Sequence, residues 1–311
     1  MALKTEPINI QDDYLVLPLE KRLQYNFPKR NLILSPWLTE SSLNMIYSWR
    51  GVGKTHVALG IAYAVASGGS FLNWKADQSQ AVLYIDGEMP GDVLNERLEK
   101  IQISNQDICP PNSLWIFGCD PYLKEMPDLA TEEGQKIVDK YILPQTKLII
   151  IDNLSCLVRS GGKENEAESW REVSGWALQK RAQGKSIIFI HHSGKDGSQR
   201  GTSKREDILD VVITLKKPHD YEPSQGARFE VHFEKARHLH GDCVKPFIVT
   251  LEQKEDNYKW NTVTLNESNK QKIITCYLEG MRSSEIAKDL GISRQAVHKH
   301  LKKMKEQKLI E

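Results

Sequence analysis

Residues 43–69 read LNMIYSWRGVGKTHVALGIAYAVASGG and join a short apolar run, a glycine-containing loop and a longer run of helical composition. The run LNMIYS predicts a strand, and THVALGIAYAVASGG predicts a helix that ends at its glycines. The loop between them, SWRGVGKT at residues 48–55, departs from the phosphate-loop pattern G-x-x-x-x-G-K-[S/T] only at its first position. A strand, a phosphate loop and a helix in this order favour an α/β fold that binds a nucleotide.

The loop carries the groups that hold nucleotide phosphates. Backbone N–H groups of such a loop, and of the helix N-terminus that follows, point at phosphate oxygens. Lys54 can reach the β and γ oxygens, and the Thr55 hydroxyl can ligate Mg²⁺. We therefore expect ATP and Mg²⁺ to bind here. The expected contacts are Arg50, Gly51, Val52, Gly53, Lys54, Thr55 and His56.

Ser48 stands where the usual pattern has its first glycine. Serine is tolerated at that position if the backbone does not require a strongly positive φ, which glycine alone adopts freely. The alternative interpretation is a Gly-Lys-Thr turn that matches the pattern by chance. The strand before the loop and the helix after it favour a working site.

The alternation of strands and helices continues through the following segments. The apolar runs AVLYIDGE, SLWIFGCD, LIIIDNL and SIIFIHH predict strands, and helical patterns lie between them. Unbroken apolar strands that alternate with helices imply a mostly parallel sheet covered on both faces. After residue 192, the runs VVITL, ARFEVHFEKA and KPFIVTLEQ suggest an antiparallel extension of that sheet, followed by a polar stretch.

Polar side chains end several of these strands. Asp152 is predicted to hold the metal through water. Of the adjacent His191 and His192, only one can face the site readily, and we favour His192 as the γ-phosphate sensor. Glu88 is the candidate base that activates water, and Asp86 is expected to be structural. The alternatives are a buried structural histidine and an acid that caps the next helix.

These segments together resemble the RecA-like ATPase core, most closely the hexameric RepA-type plasmid replicative helicases and their DnaB and KaiC relatives. The resemblance covers about residues 40–255 and rests on KTHVALGIAYAVASGG, LYIDGE, LIIIDNLS and IFIHHSGK. It implies catalytic or metal roles, in chain order, for Lys54 and Thr55, Glu88, Asp152 and His192.

The resemblance also implies that a lysine and an arginine reach the γ-phosphate of the neighbouring subunit. Lys235 and Arg237, in the sequence EKAR, fit that Lys-x-Arg pattern. A surface basic pair is the alternative. A residue that completes a neighbour's site requires an oligomer, and head-to-tail contacts close into rings or continue as filaments. The resemblance points to a hexameric ring.

A polar loop after the fourth of these strands carries basic residues among glycines and serines. They are Lys195, Arg200, Lys204 and Arg205, and Asp196, Glu206 and Asp207 dilute their charge. In RecA-like motors the corresponding loop lines the central channel, so the resemblance implies contact with single-stranded DNA in the ring. An ordinary surface loop is the alternative.

The C-terminal segment differs from the rest of the chain in charge and pattern. Residues 270–311 contain ten Lys or Arg and five Asp or Glu, a net +5 against +1 for the whole chain. SSEIAKDL, a Gly-Ile-Ser turn and RQAVHKHLKKM predict a helix-turn-helix that resembles winged-helix, MarR-type or sigma-type domains. The expected DNA-contacting residues are Arg294, Gln295, His298 and Lys299. A helical protein-interaction module is the alternative.

The predicted organisation is an N-terminal arm (1–40), a RecA-like α/β ATPase domain (41–264) and a small all-α (winged) helix-turn-helix domain (265–311). Five scattered cysteines, no evident signal peptide and no long apolar run favour a cytoplasmic protein without membrane contact. The leading prediction is an ATP-hydrolysing, ring-forming DNA motor of the replicative helicase type from a plasmid or mobile element. The alternatives are an ATP-dependent loader or regulator without unwinding activity, and a non-enzymatic, nucleotide-binding transcriptional repressor.

Overall fold

The computed structural model describes residues 16–27, 29–119, 125–159, 166–193, 207–254 and 257–306. The chain divides into two compact units, residues 1–31 and 32–311. In the first unit, helix α1 (Leu19–Gln24) leaves the side chains of Leu19 and Leu23 exposed. The guanidinium of Arg22 lies 4.6 Å from the centroid of the Phe27 ring.

The second unit contains the remaining strands and helices. Its strands are β1 (Leu32–Leu34), β2 (Leu38–Thr39), β3 (Leu43–Ser48), β4 (Ser70–Phe71), β5 (Trp74–Lys75), β6 (Ala81–Pro90), β7 (Leu114–Cys119), β8 (Thr146–Asp152), β9 (Ser186–His192), β10 (Val211–Lys216), β11 (Arg228–Ala236), β12 (Phe247–Lys254) and β13 (Asn257–Thr264). Its helices are α2 (Lys54–Ser67), α3 (Gly91–Ser104), α4 (Glu132–Asp139), α5 (Leu154–Leu157), α6 (Glu166–Ala182), α7 (Leu265–Leu278), α8 (Ser283–Asp289) and α9 (Arg294–Glu306).

Nine of these strands form one sheet in the order β13-β12-β11-β10-β3-β9-β8-β6-β7. The six strands from β10 to β7 are parallel to one another, and β11, β12 and β13 continue the sheet with antiparallel pairing. The predicted mostly parallel sheet is therefore confirmed. VVITL was expected to belong to the antiparallel extension, but β10 is parallel to β3, so the direction changes one strand later.

The last strand of the sheet lies where the sequence predicts only a polar stretch. β13 pairs with β12 along its whole length, from Asn257 to Thr264. Tyr258 and Trp260 lie against the core, whereas Lys259 between them is exposed. An edge strand with one buried face needs apolar residues only at alternate positions. The polar residues between them conceal the strand in the sequence.

The parallel part of the sheet is covered on both faces. Along β8, Leu148 and Ile150 belong to the core cluster that contains α2, whereas Ile149 and Ile151 belong to the cluster that contains α6. All four are 0% exposed. Successive strand residues point to opposite faces, so an unbroken apolar run requires a core on each side.

Helix α2 is buried along nearly its whole length. Gly60 allows a close approach, because a Cβ at this position would lie 2.2 Å from the ring of Phe71. The tight contact packs α2 against the β4–β5 hairpin. Since α2 begins at Lys54, directly after the glycine loop, this packing also fixes the loop.

The three C-terminal helices enclose a small core of their own. Its buried members are Ile273, Ile286, Ala287, Val297, Leu301 and Met304. Helices α8 and α9, with the turn at Gly291, form the predicted helix-turn-helix. In the part of the chain that the structure describes, no helix has both the length and the apolar character needed to cross a membrane.

Candidate nucleotide site and DNA interface

A cavity of about 700 Å³ lies at the carboxyl ends of β3, β6, β8 and β9. These strands are parallel, so their ends meet at one edge of the sheet, where ligands bind in open α/β folds. The residues that line the cavity are Arg50, Gly51, Val52, Gly53, Lys54, Thr55, His56, Glu88, Met89, Pro90, Val93, Arg97, Asp152, Asn153, His192, Tyr221, Gly226 and Ala227. The seven residues predicted to contact the nucleotide, 50–56, are all among them.

The backbone of the loop explains why serine is tolerated at its first position. Ser48 is the last residue of β3 and pairs with His192 of β9, so its backbone is extended. The positive φ angles occur later, at Gly51 (71°) and Gly53 (126°). A Cβ at Gly53 would also lie 3.0 Å from the Phe229 ring. The turn therefore depends on the two glycines that are present, and not on Ser48.

Lys54 lies at the start of α2 with its side chain largely buried. Its ammonium donates to the carbonyl oxygens of Trp49 (3.3 Å) and Ser48 (3.4 Å). Burial lowers the pKa of Lys54, and the carboxylates of Asp152 and Glu88 oppose that shift. The N-cap residue of α2 is Gly53, which has no side chain to cap the helix. The first-turn amides and the lysine therefore present donors to an anion in the cavity.

Asp152 ends β8 at the base of the cavity and is only 3% exposed. Its carboxylate accepts hydrogen bonds from the Tyr84 hydroxyl, at 2.7 Å, and from the Thr55 hydroxyl. Burial raises the pKa of Asp152 to about 6. A hydroxyl and one carboxylate are hard oxygen ligands that suit Mg²⁺ when phosphates complete its shell. The donor set therefore fits the expected cation, although the described residues contain no group of three or more Asp, Glu, His or Cys side chains that could hold a metal ion by themselves.

Three further side chains that line the cavity contact one another. The Asn153 amide donates to the Glu88 carboxylate and lies 3.3 Å from Nε2 of His192. The Glu88 carboxylate and His192 Nε2 are 3.9 Å apart. Asn153 also caps α5, since its Oδ1 accepts from the Cys156 N–H at 3.2 Å. Glu88, Asn153 and His192 therefore form one connected polar group, which we call the Glu88 cluster.

Sequence reasoning missed Asn153, although it directly follows the predicted metal residue. Its sequence position could have suggested it, because it is the first residue past the strand end. Tyr221, Gly226 and Ala227 were missed as well, and they come from the segment between β10 and β11. No sequence pattern marks that segment. It comes near the phosphate loop because β10 pairs with β3, which lies far away in the sequence.

Asp86 and His191 are close in sequence to members of the Glu88 cluster, but neither lines the cavity. Asp86 is 1% exposed and accepts from the N–H groups of Glu88 (2.8 Å) and Met89 (2.7 Å), which holds the backbone that carries Glu88. Burial raises the pKa of Asp86. His191 is buried and does not line the cavity, whereas His192 does.

Lys235 and Arg237 lie at the end of β11, and neither lines the cavity of its own chain. Arg237 is exposed and donates from its guanidinium to the Asp207 carbonyl oxygen. Its backbone N–H donates to the Asp210 carbonyl at 3.1 Å. A role in the neighbouring subunit's site requires a position outside the chain's own site, and for both residues that role stays a prediction.

The predicted DNA-contacting residues fall into two groups. Lys195, Arg200, Lys204 and Arg205 lie outside the described residues. Arg294, Gln295, His298 and Lys299 all lie on α9 and are exposed. Val297 and Leu301 of the same helix point into the small core. The four exposed side chains therefore lie away from the core of the helix-turn-helix.

Two protein families match two different segments of the chain. Residues 6–198 match the model of the AAA domain family, and residues 264–307 match that of Sigma-70, region 4. The DNA repair protein RadA of Listeria monocytogenes is 21% identical over 197 residues, which are 62% of this chain and 37% of RadA. The chain thus spans little more than a third of that relative's length.

A solved structure, the KaiC-like protein PH0186 from Pyrococcus horikoshii, aligns with 14% identity and a TM-score of 0.49. The alignment covers 72% of this chain and 90% of that one. The family matches bear out the P-loop ATPase and the helix-turn-helix predicted from sequence, and the narrower helicase family stays a prediction. The AAA domain model spans more than half of the chain, and the protein belongs to the AAA domain family.

Proposed function

We propose that this protein hydrolyses ATP with Mg²⁺ and uses the reaction to move along or remodel DNA, as a ring-forming motor of the replicative helicase type. One observation carries the proposal. Lys54, Asp152 and the Glu88 cluster line a single cavity, and the same folded unit presents an exposed basic face on α9.

In the proposed reaction, Lys54 and the first-turn amides of α2 hold the β- and γ-phosphates of ATP. Thr55 and Asp152 hold Mg²⁺, which when bound would neutralise charge on these phosphates. The buried surroundings of Lys54 strengthen its attraction to the phosphates, because water screens the charges less there.

Glu88 orients the attacking water and takes its proton. In the structure its carboxylate is held by the Asn153 amide, and His192 lies within 3.9 Å. Loss of the γ-phosphate changes the charge beside this cluster. His192 ends β9, and the predicted DNA loop with Lys195 and Arg200 follows it in sequence. A change at the γ-phosphate can thus reach residues that contact DNA.

The proposed active form is a hexameric ring. Arg237 and Lys235 would stabilise the γ-phosphate in the adjacent subunit, and the basic loops would contact single-stranded DNA in the channel. The α9 face, which consists of the exposed side chains of Arg294, Gln295, His298 and Lys299, would bind duplex DNA. The name of the RadA relative, a DNA repair protein, and the Sigma-70, region 4 match both support a DNA substrate.

Two assays on the full chain test the proposal: ATP hydrolysis with and without single-stranded DNA, and unwinding of a forked duplex. We expect DNA to stimulate hydrolysis and ATP to drive unwinding. Lys54→Ala should lower both rates about 100-fold or more, because it removes the cation at the phosphates. Lys75→Ala, at an exposed lysine on β5, is the control and should leave both unchanged.

A second candidate function is an ATP-dependent loader or regulator that binds DNA without unwinding it. The observation that favours it is the contact of the C-terminal helices with a segment that lines the nucleotide cavity, since Lys272 of α7 pairs with Asp220. Hydrolysis stimulated by DNA with no strand separation would replace the motor by this function. If neither ATP hydrolysis nor DNA binding is detected, both candidates fail.

A further inference from the structure

The segment between β10 and β11, residues 217–227, faces the nucleotide cavity on one side. We call it the 217–227 loop. Tyr221, Gly226 and Ala227 line the cavity together with the phosphate loop. The Tyr221 hydroxyl donates to the Gly226 carbonyl at 3.0 Å, and the Lys217 ammonium lies 4.4 Å from the centroid of the Tyr221 ring. A ligand that fills the cavity therefore contacts this loop as well as the phosphate loop.

On its other side the same loop contacts the C-terminal helices. The ammonium of Lys272, on α7, lies 2.7 Å from the Asp220 carboxylate. The two side chains are 27% and 38% exposed, so water screens the pair only in part. A Cβ at Gly291, the turn between α8 and α9, would lie 3.4 Å from the His219 ring. The turn of the helix-turn-helix thus lies directly over the loop.

Asp220 links the side of the 217–227 loop that faces the cavity to the side that contacts the C-terminal helices. Both of its carboxylate oxygens accept from the Arg228 guanidinium at 3.1 Å, and its carbonyl oxygen accepts from the same group at 3.2 Å. Arg228 also donates to Gln225 at 2.9 Å, across the loop. Asp220 is adjacent to Tyr221 in the chain. A shift of Tyr221 must therefore disturb the Arg228 contacts or the pair with Lys272.

We propose that the 217–227 loop couples the nucleotide cavity to the helix-turn-helix, so that ATP and duplex DNA each tighten the binding of the other. The inference rests on the proposed function, because it takes the cavity to bind ATP and α9 to bind DNA. Each ligand fixes one side of the same loop. The ligand that binds second finds the loop already ordered and loses less conformational entropy, which gives positive coupling.

The test measures a coupling factor on the full chain. The dissociation constant of a fluorescent, non-hydrolysable ATP analogue is measured with and without a saturating short DNA duplex. We expect the duplex to tighten binding of the analogue by about 5-fold or more. The analogue should tighten binding of the duplex by the same factor, because coupling between two binding equilibria is reciprocal.

Two variants interrupt the loop at its contacts with the helices. Lys272→Gln removes the ion pair with Asp220, and His219→Ala removes the ring beneath Gly291. Each should bring the coupling factor close to 1. The factor is a ratio, so a direct effect of the lost Lys272 charge on DNA affinity cancels. Lys136→Gln is the control, since it breaks an ion pair of similar length, with Glu132, and should keep the wild-type factor.

The possible results distinguish a failure of the proposed function from a failure of the coupling alone. If the wild-type chain does not bind the analogue or the duplex, the proposed function fails, and this inference falls with it. If both ligands bind and neither affects the other, the proposed function stands and the coupling is refuted. If the wild type shows coupling and both variants keep it, the route through the 217–227 loop is refuted. Thermal unfolding of each variant confirms that it is folded.

Discussion

The nucleotide cavity and the α9 face are built in opposite ways. The cavity collects polar groups from the ends of four strands that are far apart in sequence, and Lys54 and Asp152 are buried. The α9 face takes its polar groups from a single helix, and all of them are exposed. Charges interact strongly where water is excluded and weakly where it is not. A single substitution in the cavity should therefore have a large effect, and one on α9 a small effect.

The largest effect that we expect is on the rate of hydrolysis. Glu88→Gln keeps the size and most contacts of the side chain but removes the proposed base, and should lower kcat about 1000-fold. The dissociation constant for ATP should change much less, since Lys54, the proposed phosphate ligand, is unchanged. Single-turnover hydrolysis and equilibrium binding measure the two quantities separately.

The matched control for this prediction is Glu96→Gln on α3. Glu96 is exposed, pairs with Lys100 and does not line the cavity, so its loss should leave kcat within about 2-fold. If Glu88→Gln retains the wild-type kcat, another group activates water. The contrast between cavity and α9 face would then lose its strongest support.

A second prediction concerns stability and pH at the edge of the cavity. Burial lowers the pKa of His56 to about 4, and the Arg97 cation adds to the shift. Its ring packs edge-on against Tyr258 and Trp260. In the unfolded chain the pKa is near 6.5, so that state binds more protons between pH 6.5 and 4. His56 therefore favours the folded state above pH 6.5 and loses this contribution as pH falls toward 4.

The measurement is the free energy of unfolding of wild type and His56→Gln between pH 7 and 4. The wild type should lose about 3 kcal/mol more than the variant over this range, which is the free energy that corresponds to the two pKa values. The exposed His238→Gln is the control and should follow the wild type. Parallel curves for wild type and His56→Gln would contradict a buried neutral histidine at this position.

The same contrast explains which parts of the molecule the sequence could predict. The parallel strands were predictable because burial on both faces leaves unbroken apolar runs, as in β8. Lys54, Glu88 and Asp152 were predictable because strand ends and a glycine loop mark their places. The helix-turn-helix was predictable because its core spacing is local, with Ile286 and Val297 both buried.

What the sequence could not predict depends on contacts between distant segments. β13 was missed because only one of its faces is buried, and Tyr221 because sheet order alone brings its loop to the cavity. The contact between Lys272 and Asp220 joins two residues that are 52 positions apart in the sequence, and neither belongs to a motif. Such contacts follow from the tertiary arrangement, which local patterns do not encode.

The smallest expected effect is on the α9 face. Lys299→Ala should weaken binding of duplex DNA only a few-fold, and the slope of log affinity against log salt should become shallower by about 1, as for the loss of one phosphate contact. Lys75→Ala, at an exposed lysine on β5, should change neither quantity. Titrations of a fluorescent duplex at several salt concentrations measure both. A loss of affinity with an unchanged salt slope would mean that Lys299 contacts a base or supports the fold. In that case Lys299 would contribute through a short-range contact, as the cavity residues do, and not through a charge that water screens. The distinction between the two regions would then not hold for α9.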